Sequence, residues 1–452
     1  MSRPKFQLSW TAIFAIAIAS FFSNSTFAQE SDPFGENYPQ FNGKIISEIQ
    51  VIGLKRSRDR KVRWMLGGAE GESFDAKRWK NGIEHLYHTS SVYEIHTDIK
   101  PVNVGGIDEI AITVHLTDKW TLFPYAELQG GGGSLNIEAG VFDTNVAGTF
   151  AAVSVSGAYL DGSYSYDVNF LQNWVLGSDY AFGLDIARID TPVIWQNEGS
   201  TTLKDFIWSR QQQQIFIGKH NGENIHLGAF LDLYKDSVKR TNNTGNDIVY
   251  GLEQYRIRPS IKVGKTSASE YLEQGHELTF SSGFANPLHP PYEYQSATVS
   301  WKDVYYFPDT KNVAYFLSVG TMSRAPLAYQ FRLGGFDTVR GFATNRAIGR
   351  TFARGSFEYR ATLWRHQFPF LDLDRVILQG CAFSDVGEMW KLAGQNLAGS
   401  HTQNGSLALG SVGIGIRAIL LKFSDAILRI DAARAVFPKE GMNISFGVGQ
   451  FF

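Results

Sequence analysis

From Trp120 to Phe452 the chain is built of segments of about ten residues in which apolar and polar side chains alternate. Such alternation puts successive side chains on opposite faces of a strand. Beyond the N-terminus no stretch approaches 18 consecutive apolar residues. If this region crosses a membrane, it must therefore do so as a closed barrel and not as helices. The last segments are the clearest. Met442, Ile444, Phe446, Val448 and Phe452 fall on one side, and Asn443, Ser445, Gly447 and Gly449 on the other. Ala426, Leu428, Ile430 and Ala432 oppose Asp425, Arg429 and Asp431, and Val412, Ile414, Ile416 and Ala418 oppose Ser411, Gly413, Gly415 and Arg417. Periodicity alone fits two architectures. A soluble sandwich turns its apolar face inward, whereas a membrane barrel turns it to lipid and keeps the polar face for a wet lumen.

The N-terminus and the strand number separate the two. Residues 1–28 read as a secretory signal, with Arg3 and Lys5 ahead of an apolar run from Trp10 to Phe22 and a cleavage site at Thr26-Phe27-Ala28. About sixteen strands fit between residues 119 and 452, an even number as bacterial barrels require. A chain that ends on the aromatic Phe452 within its last strand suits a barrel closed between first and last strands. Aromatic residues at 14% and 45 glycines suit a barrel with interfacial girdles, and also suit a large soluble β-protein, so composition does not choose. A formal net charge of −2 leaves no basic footprint for nucleic acid. The single Cys381 excludes an intrachain disulfide and reads as a small packing residue.

Ahead of the barrel, residues 29–42 are polar and turn-rich and read as a linker. Residues 43–118 form a β-α-α-β-β unit. A first strand carries Ile45, Ile46, Ile49, Val51 and Ile52. The spacing predicts helices over about 57–66 and 75–88, the second with Asp75 as N-cap and Trp79, Ile83 and Leu86 on one face. Strands over 92–102 and 109–117 follow. The run from Lys55 to Arg63 holds six basic residues against Asp59. It reads as the solvated face of the first helix, with attraction to anionic headgroups or acidic clients as the alternative.

Two motifs carry a resemblance. Leu333-Gly334-Gly335-Phe336-Asp337-Thr338-Val339-Arg340-Gly341-Phe342 lies between two barrel strands, and Phe383-Ser384-Asp385-Val386-Gly387 lies on a later one. In that order they resemble the Val-Arg-Gly-Phe loop and the F-x-D-x-G signature of the BamA, TamA and two-partner-secretion transporter superfamily. Gly140 to Gly148 and the three closing strands from Ser411 are similar to the same family, and residues 43–118 look like one POTRA (polypeptide-transport-associated) domain. The resemblance implies that residues 334–349 fold into the lumen and that Val339, Arg340, Gly341 and Phe342 meet Phe383, Asp385 and Gly387 on the wall. An arginine offers a planar fork of donors that an aspartate can accept.

The expected architecture is therefore a 16-stranded antiparallel transmembrane β-barrel at 119–452, preceded by one small α+β domain. What the resemblance implies for function is assembly or insertion of other proteins in the outer membrane of a Gram-negative bacterium. The POTRA domain would lie in the periplasm, and a lateral seam would be edged by Phe446, Val448 and Phe452. The alternatives are a pore exporting a dedicated passenger and a structural surface-antigen barrel. Clients would be unfolded outer-membrane or secreted proteins, and the other partners outer-membrane lipid and periplasmic chaperones or accessory lipoproteins. No catalytic residue, metal or cofactor is expected: there is no G-x-S-x-G elbow, and Gly264-Lys265-Thr266 lacks the upstream glycine of a phosphate loop. The two units are expected to have separate cores, so that removing residues 43–117 would leave the barrel folded.

Overall fold

The computed structural model describes residues 38–448 apart from 90, 106, 132–133, 161–162, 174, 176–178, 197–202, 222–224, 241–247, 270–271, 289–292, 308–309, 324, 326–328, 369–372, 393–404 and 421–425. The expected signal segment and most of the linker lie outside the described residues.

The small unit runs β1 (Ile45–Ile52), α1 (Asp59–Met65), α2 (Ala76–His88), β2 (Val92–Val104) and β3 (Ile107–Asp118). Its sheet has the order β1-β3-β2, with β1 parallel and β2 antiparallel to β3. A bulge between Ile46 and Glu48 explains why Ile46 and Ile49, three residues apart, both point into the core. Along β3, Ile110, Ile112 and Val114 alternate inward without interruption. Asp75 caps α2 by accepting the N–H groups of Lys77 at 2.9 Å and Arg78 at 3.1 Å. That cap orients Trp79, Ile83 and Leu86 onto the sheet. The first helix begins at Asp59, later than the pattern predicts, because Ser57 is engaged elsewhere. Its N–H (3.1 Å) and hydroxyl (2.5 Å) both donate to the carboxylate of Asp118, which also accepts the N–H of Lys55 and of Arg56.

The barrel comprises β4 (Leu122–Gly131), β5 (Ser134–Asp143), β6 (Ala151–Leu160), β7 (Ser163–Gln172), β8 (Tyr180–Gln196), β9 (Leu203–Asn221), β10 (Ile225–Arg240), β11 (Ile248–Ser269), β12 (Leu272–Pro287), β13 (Tyr294–Phe307) and β14 (Lys311–Met322). A short β15 (Phe331–Leu333) precedes β16 (Ala347–Phe368), β17 (Leu373–Leu392), β18 (Ser406–Leu420), β19 (Ala426–Phe437) and β20 (Met442–Val448). Consecutive strands pair antiparallel and β20 closes onto β4. Because β14 also pairs directly with β16, β15 is a side stem and sixteen strands form the wall.

The period-two pattern now has a direction. Ile414 (68% exposed) and Ile430 (51%) face outward, whereas Arg417, Arg429 and Asp431 are buried inside. Apolar-out and polar-in is the membrane-barrel arrangement. Cys381 is buried beside Phe383 and Ala433, as a packing residue.

Two expectations need correction. The inward loop is shorter than 334–349: Ala347, Ile348 and Gly349 already belong to β16 and pair with β15, so the loop stands on a short ladder. The small unit's core is also not wholly its own. Phe150, in the turn between β5 and β6, is buried among Val62, Leu66, Trp79 and their neighbours. Around it, Asn145 donates to the Ser57 hydroxyl (2.8 Å), and the Arg58 N–H donates to the Gly148 carbonyl (3.0 Å). The junction is a shared hydrophobic socket, which a pattern search by segment does not see.

Candidate functional site

The loop between β15 and β16 carries Arg340 to the inner wall, where three cations and three carboxylates gather. The Arg340 fork is bidentate on Asp385 of β17: Nε donates to Oδ2 at 2.7 Å and one terminal nitrogen to Oδ1 at 2.8 Å. The backbone N–H of Arg340 adds a third bond to the same carboxylate at 3.1 Å. The other terminal nitrogen donates to Glu358 of β16 at 2.6 Å and lies 3.5 Å from Asp431 of β19. The guanidinium carbon sits 3.4 Å from the centre of the Phe383 ring, an electrostatic attraction to the ring face. Arg360 pairs with Glu358 at 2.8 Å, and Arg417 of β18 pairs with Asp431 at 2.5 Å. Arg340, Arg360 and Arg417 thus balance Glu358, Asp385 and Asp431, all six buried. Burial alone would lower the Arg340 pKa, but the hydrogen bond and charge of Asp385, with Glu358 and Asp431, raise it above the ordinary arginine value.

Apolar contacts hold the rest of the motif. Val339 and Phe342 are fully buried with Leu333, Ala347, Phe352, Met389, Leu409 and Ala435. Gly341 has φ +91° and lies so close to the wall that an added Cβ would be 3.1 Å from the Ala435 nitrogen. A Cβ at Gly387 would be 3.0 Å from Val339, so this position keeps β17 flat beneath the loop. The structure therefore brings Val339, Arg340, Gly341, Phe342, Phe383, Asp385 and Gly387 into one contact region. The seam residues lie apart from it. Phe446 pairs with Leu128 across the closure, the backbone of Val448 pairs with Leu428 of β19, and Phe452 lies outside the described residues.

Sequence reasoning missed three features. Glu358 and Arg360 complete the network. Their inward alternation in β16 was the available signal, but only the pairing of β16 with β17 places them next to Asp385. The stretch leading into the loop is held separately. Tyr329 packs against Tyr294 with tilted rings, and the Arg210 guanidinium lies 4.2 Å from Tyr234, 4.5 Å from Trp208 and 4.7 Å from Tyr329 while bonding Asp236 at 2.9 Å. The third is Phe336 at the loop tip. It lies under the Arg429 guanidinium at 3.5 Å, and a Cβ at Gly447 would meet its ring at 2.9 Å and the Glu127 side chain at 3.2 Å. Gly447 belongs to β20 and Glu127 to β4, so the loop rests on the inner face of the closure. Among the described residues β20 meets β4 at Ile444↔Gly130, Ser445↔Gln129 and Phe446↔Leu128, whereas the described residues of β19 and β20 make seven such pairs.

A sixteen-stranded barrel with an apolar exterior, a charged lumen and a loop clamped inside it has the architecture of an outer-membrane barrel. Residues 292–452 match the Omp85 superfamily domain. Among solved structures, CdiB from Escherichia coli is similar at TM-score 0.63 and 13% identity, over 90% of this chain and 76% of that one. CdiB from Acinetobacter baumannii is similar at 0.60 and 13%, over 90% and 74%. BamA from Haemophilus ducreyi lacking POTRA domains 1–3 is similar at 0.53 and 12%, over 90% and 85%. At such identities the likeness is one of fold. No curated protein sequence matches the chain significantly.

Proposed function

We propose that this protein is an outer-membrane assembly factor that inserts unfolded β-barrel clients through the β20–β4 seam, with its N-terminal unit acting as a periplasmic POTRA domain. The observation that carries the reading is the placement of the loop. Arg340 clamps it to β16 and β17, and the clamp holds Phe336 against Gly447 on the last strand. The loop thus senses or sets the position of one seam edge. Separating β20 from β4 would expose unpaired backbone groups on both strands, and such edges template an incoming strand. Three described pairs join the two strands, at Ile444, Ser445 and Phe446. No covalent bond is made or broken in the process. The roles of Val339, Arg340, Gly341, Phe342, Phe383, Asp385 and Gly387 are to hold the loop, and that of Phe446 and Val448 is to form the edge.

Export of a dedicated passenger through the lumen is the competing reading. It requires the buried loop to leave, since Val339, Arg340 and Phe342 fill the lumen on the β16–β19 side. Purified protein in liposomes separates the two. Faster folding of unrelated barrel clients supports insertion. Ion conductance together with transport of one specific passenger, and no effect on unrelated clients, would replace it with export.

A further inference from the structure

The basic run ahead of and within α1 is left without a role by the seam mechanism. Lys55, Arg56, Arg58, Arg60 and Lys61 carry five cations, and among the described residues no carboxylate pairs with any of these side chains. Asp59, the acid within the run, is bound by Arg63 at 2.8 Å, and Arg63 also binds Glu70 at 3.1 Å. A solvated helix face would normally intersperse charges of both signs.

The location of the run is fixed by the shared socket. The Arg58 backbone and Nε both donate to the turn between β5 and β6, at the Gly148 and Ala147 carbonyls, each at 3.0 Å. The Arg56 guanidinium lies 4.9 Å from the centre of Trp120 and reaches the Thr121 hydroxyl at 3.4 Å. Trp120 is 49% exposed and stands two residues before Leu122, which is 40% exposed, and Leu122 opposes Asp143 at the end of β5. Val141 on β5, 44% exposed, continues the outward apolar band. The run therefore sits where the lipid-facing band of β4 and β5 begins, beside the strand that forms one seam edge. Lys61 lies over Trp64 at 5.8 Å, a second cation next to an indole. Tryptophan beside free cations at the end of an apolar band is the chemistry of a headgroup layer, where indoles sit at the interface and cations meet phosphates.

We propose that the segment from Lys55 to Trp64 is a binding face for anionic phospholipid headgroups at the foot of the seam. It holds anionic lipid against the start of β4. The inference rests on the barrel spanning a membrane and is independent of which client the protein handles.

The test uses full-length protein reconstituted in phosphatidylcholine bilayers containing a minor fraction of phosphatidylglycerol. Photoactivatable phosphatidylglycerol and phosphatidylcholine probes are compared, and labelled peptides are mapped. The peptide spanning 55–64 is labelled preferentially by the anionic probe, by about fivefold per engaged cation. Arg60→Glu with Lys61→Glu reduces that labelling by more than about 25-fold, while labelling of the outer face of β12 is unchanged and serves as the internal reference. Neither Arg60 nor Lys61 makes a side-chain polar contact in the junction, and Arg60→Gln with Lys61→Gln, which only neutralises the two cations, gives a loss of about 25-fold. Equal labelling of 55–64 by both probes would overturn the proposal, as would undiminished anionic labelling in the double variant. So would a preference for an acidic soluble polypeptide that displaces no lipid probe. None of these outcomes bears on client insertion, which is read separately with unrelated barrel substrates.

Discussion

Replacing Arg340 by alanine removes the bidentate pair to Asp385, the bond to Glu358 and the contact with Phe383. It leaves the buried carboxylate of Asp385 without its bidentate partner and Glu358 without one of its arginines. Breaking a buried pair on one side costs about 3–5 kcal/mol. The rest of the loop's hold comes from Val339 and Phe342, both fully buried, which contribute about 1.5–3 kcal/mol each. The apolar contacts remain, so the substitution leaves the loop docked on average but lets it open far more often. The barrel wall, formed by sixteen paired strands, does not depend on this contact. Hydrogen exchange measures the change directly: amides of 334–346 exchange roughly two to four decades faster in Arg340→Ala. Heat-modifiable gel mobility reports that the barrel itself is intact, and client folding in liposomes is lost. Arg340→Lys keeps the charge but not the fork and falls between the two. Unchanged exchange in 334–346, with activity retained, would refute the reasoning. So would an unfolded barrel, because the loop would then be part of the wall's stability and not a separable clamp.

Gly447→Leu places a side chain where the Phe336 ring lies. It displaces the loop tip from the seam while Arg340 stays bound, and client folding falls by at least an order of magnitude with normal heat modifiability. Full activity would show that the contact of Phe336 with β20 has no role. Phe150→Ala, although outside the small unit in sequence, destabilises that unit by about 3–5 kcal/mol, read as faster hydrogen exchange in α1 and α2 but not in β16–β19. Deleting residues 43–117 exposes Phe150 and Ala147 at the end of the barrel, so the truncated protein binds more apolar dye or aggregates than one also carrying Phe150→Ser. Identical behaviour of the two would mean that the socket is not a shared core.

Most of the wall was legible because period two is a local property. Ile414 against Gly413, or Ile430 against Asp431, carries its own face assignment, and a membrane barrel needs nothing more to fix inside and outside. The N-cap at Asp75 and the inward face of Trp79, Ile83 and Leu86 were legible for the same reason. Where local order is interrupted the pattern misleads. The bulge after Ile46 shifts the face of Ile49, and the capture of Ser57 by Asp118 delays α1. The contact of the loop with Phe383 and Asp385 came from resemblance to a known motif pair. Alternation shows that Asp385 faces the lumen, but not which loop reaches it. Glu358, Phe336 and Phe150 were not legible at all as partners. Each is an ordinary residue of its segment, and its role arises from strands and turns that approach only in the closed fold.

The central claim is that the β20–β4 closure opens during client insertion. Ser445 and Gln129 are direct partners across it, so Ser445→Cys with Gln129→Cys allows the seam to be locked by oxidation and released by reduction in the same sample, with Cys381 buried away from the reagents. The account predicts that the oxidised protein retains a folded barrel and does not accelerate client folding, and that reductant restores the rate. Client insertion at full speed through the locked seam would contradict it.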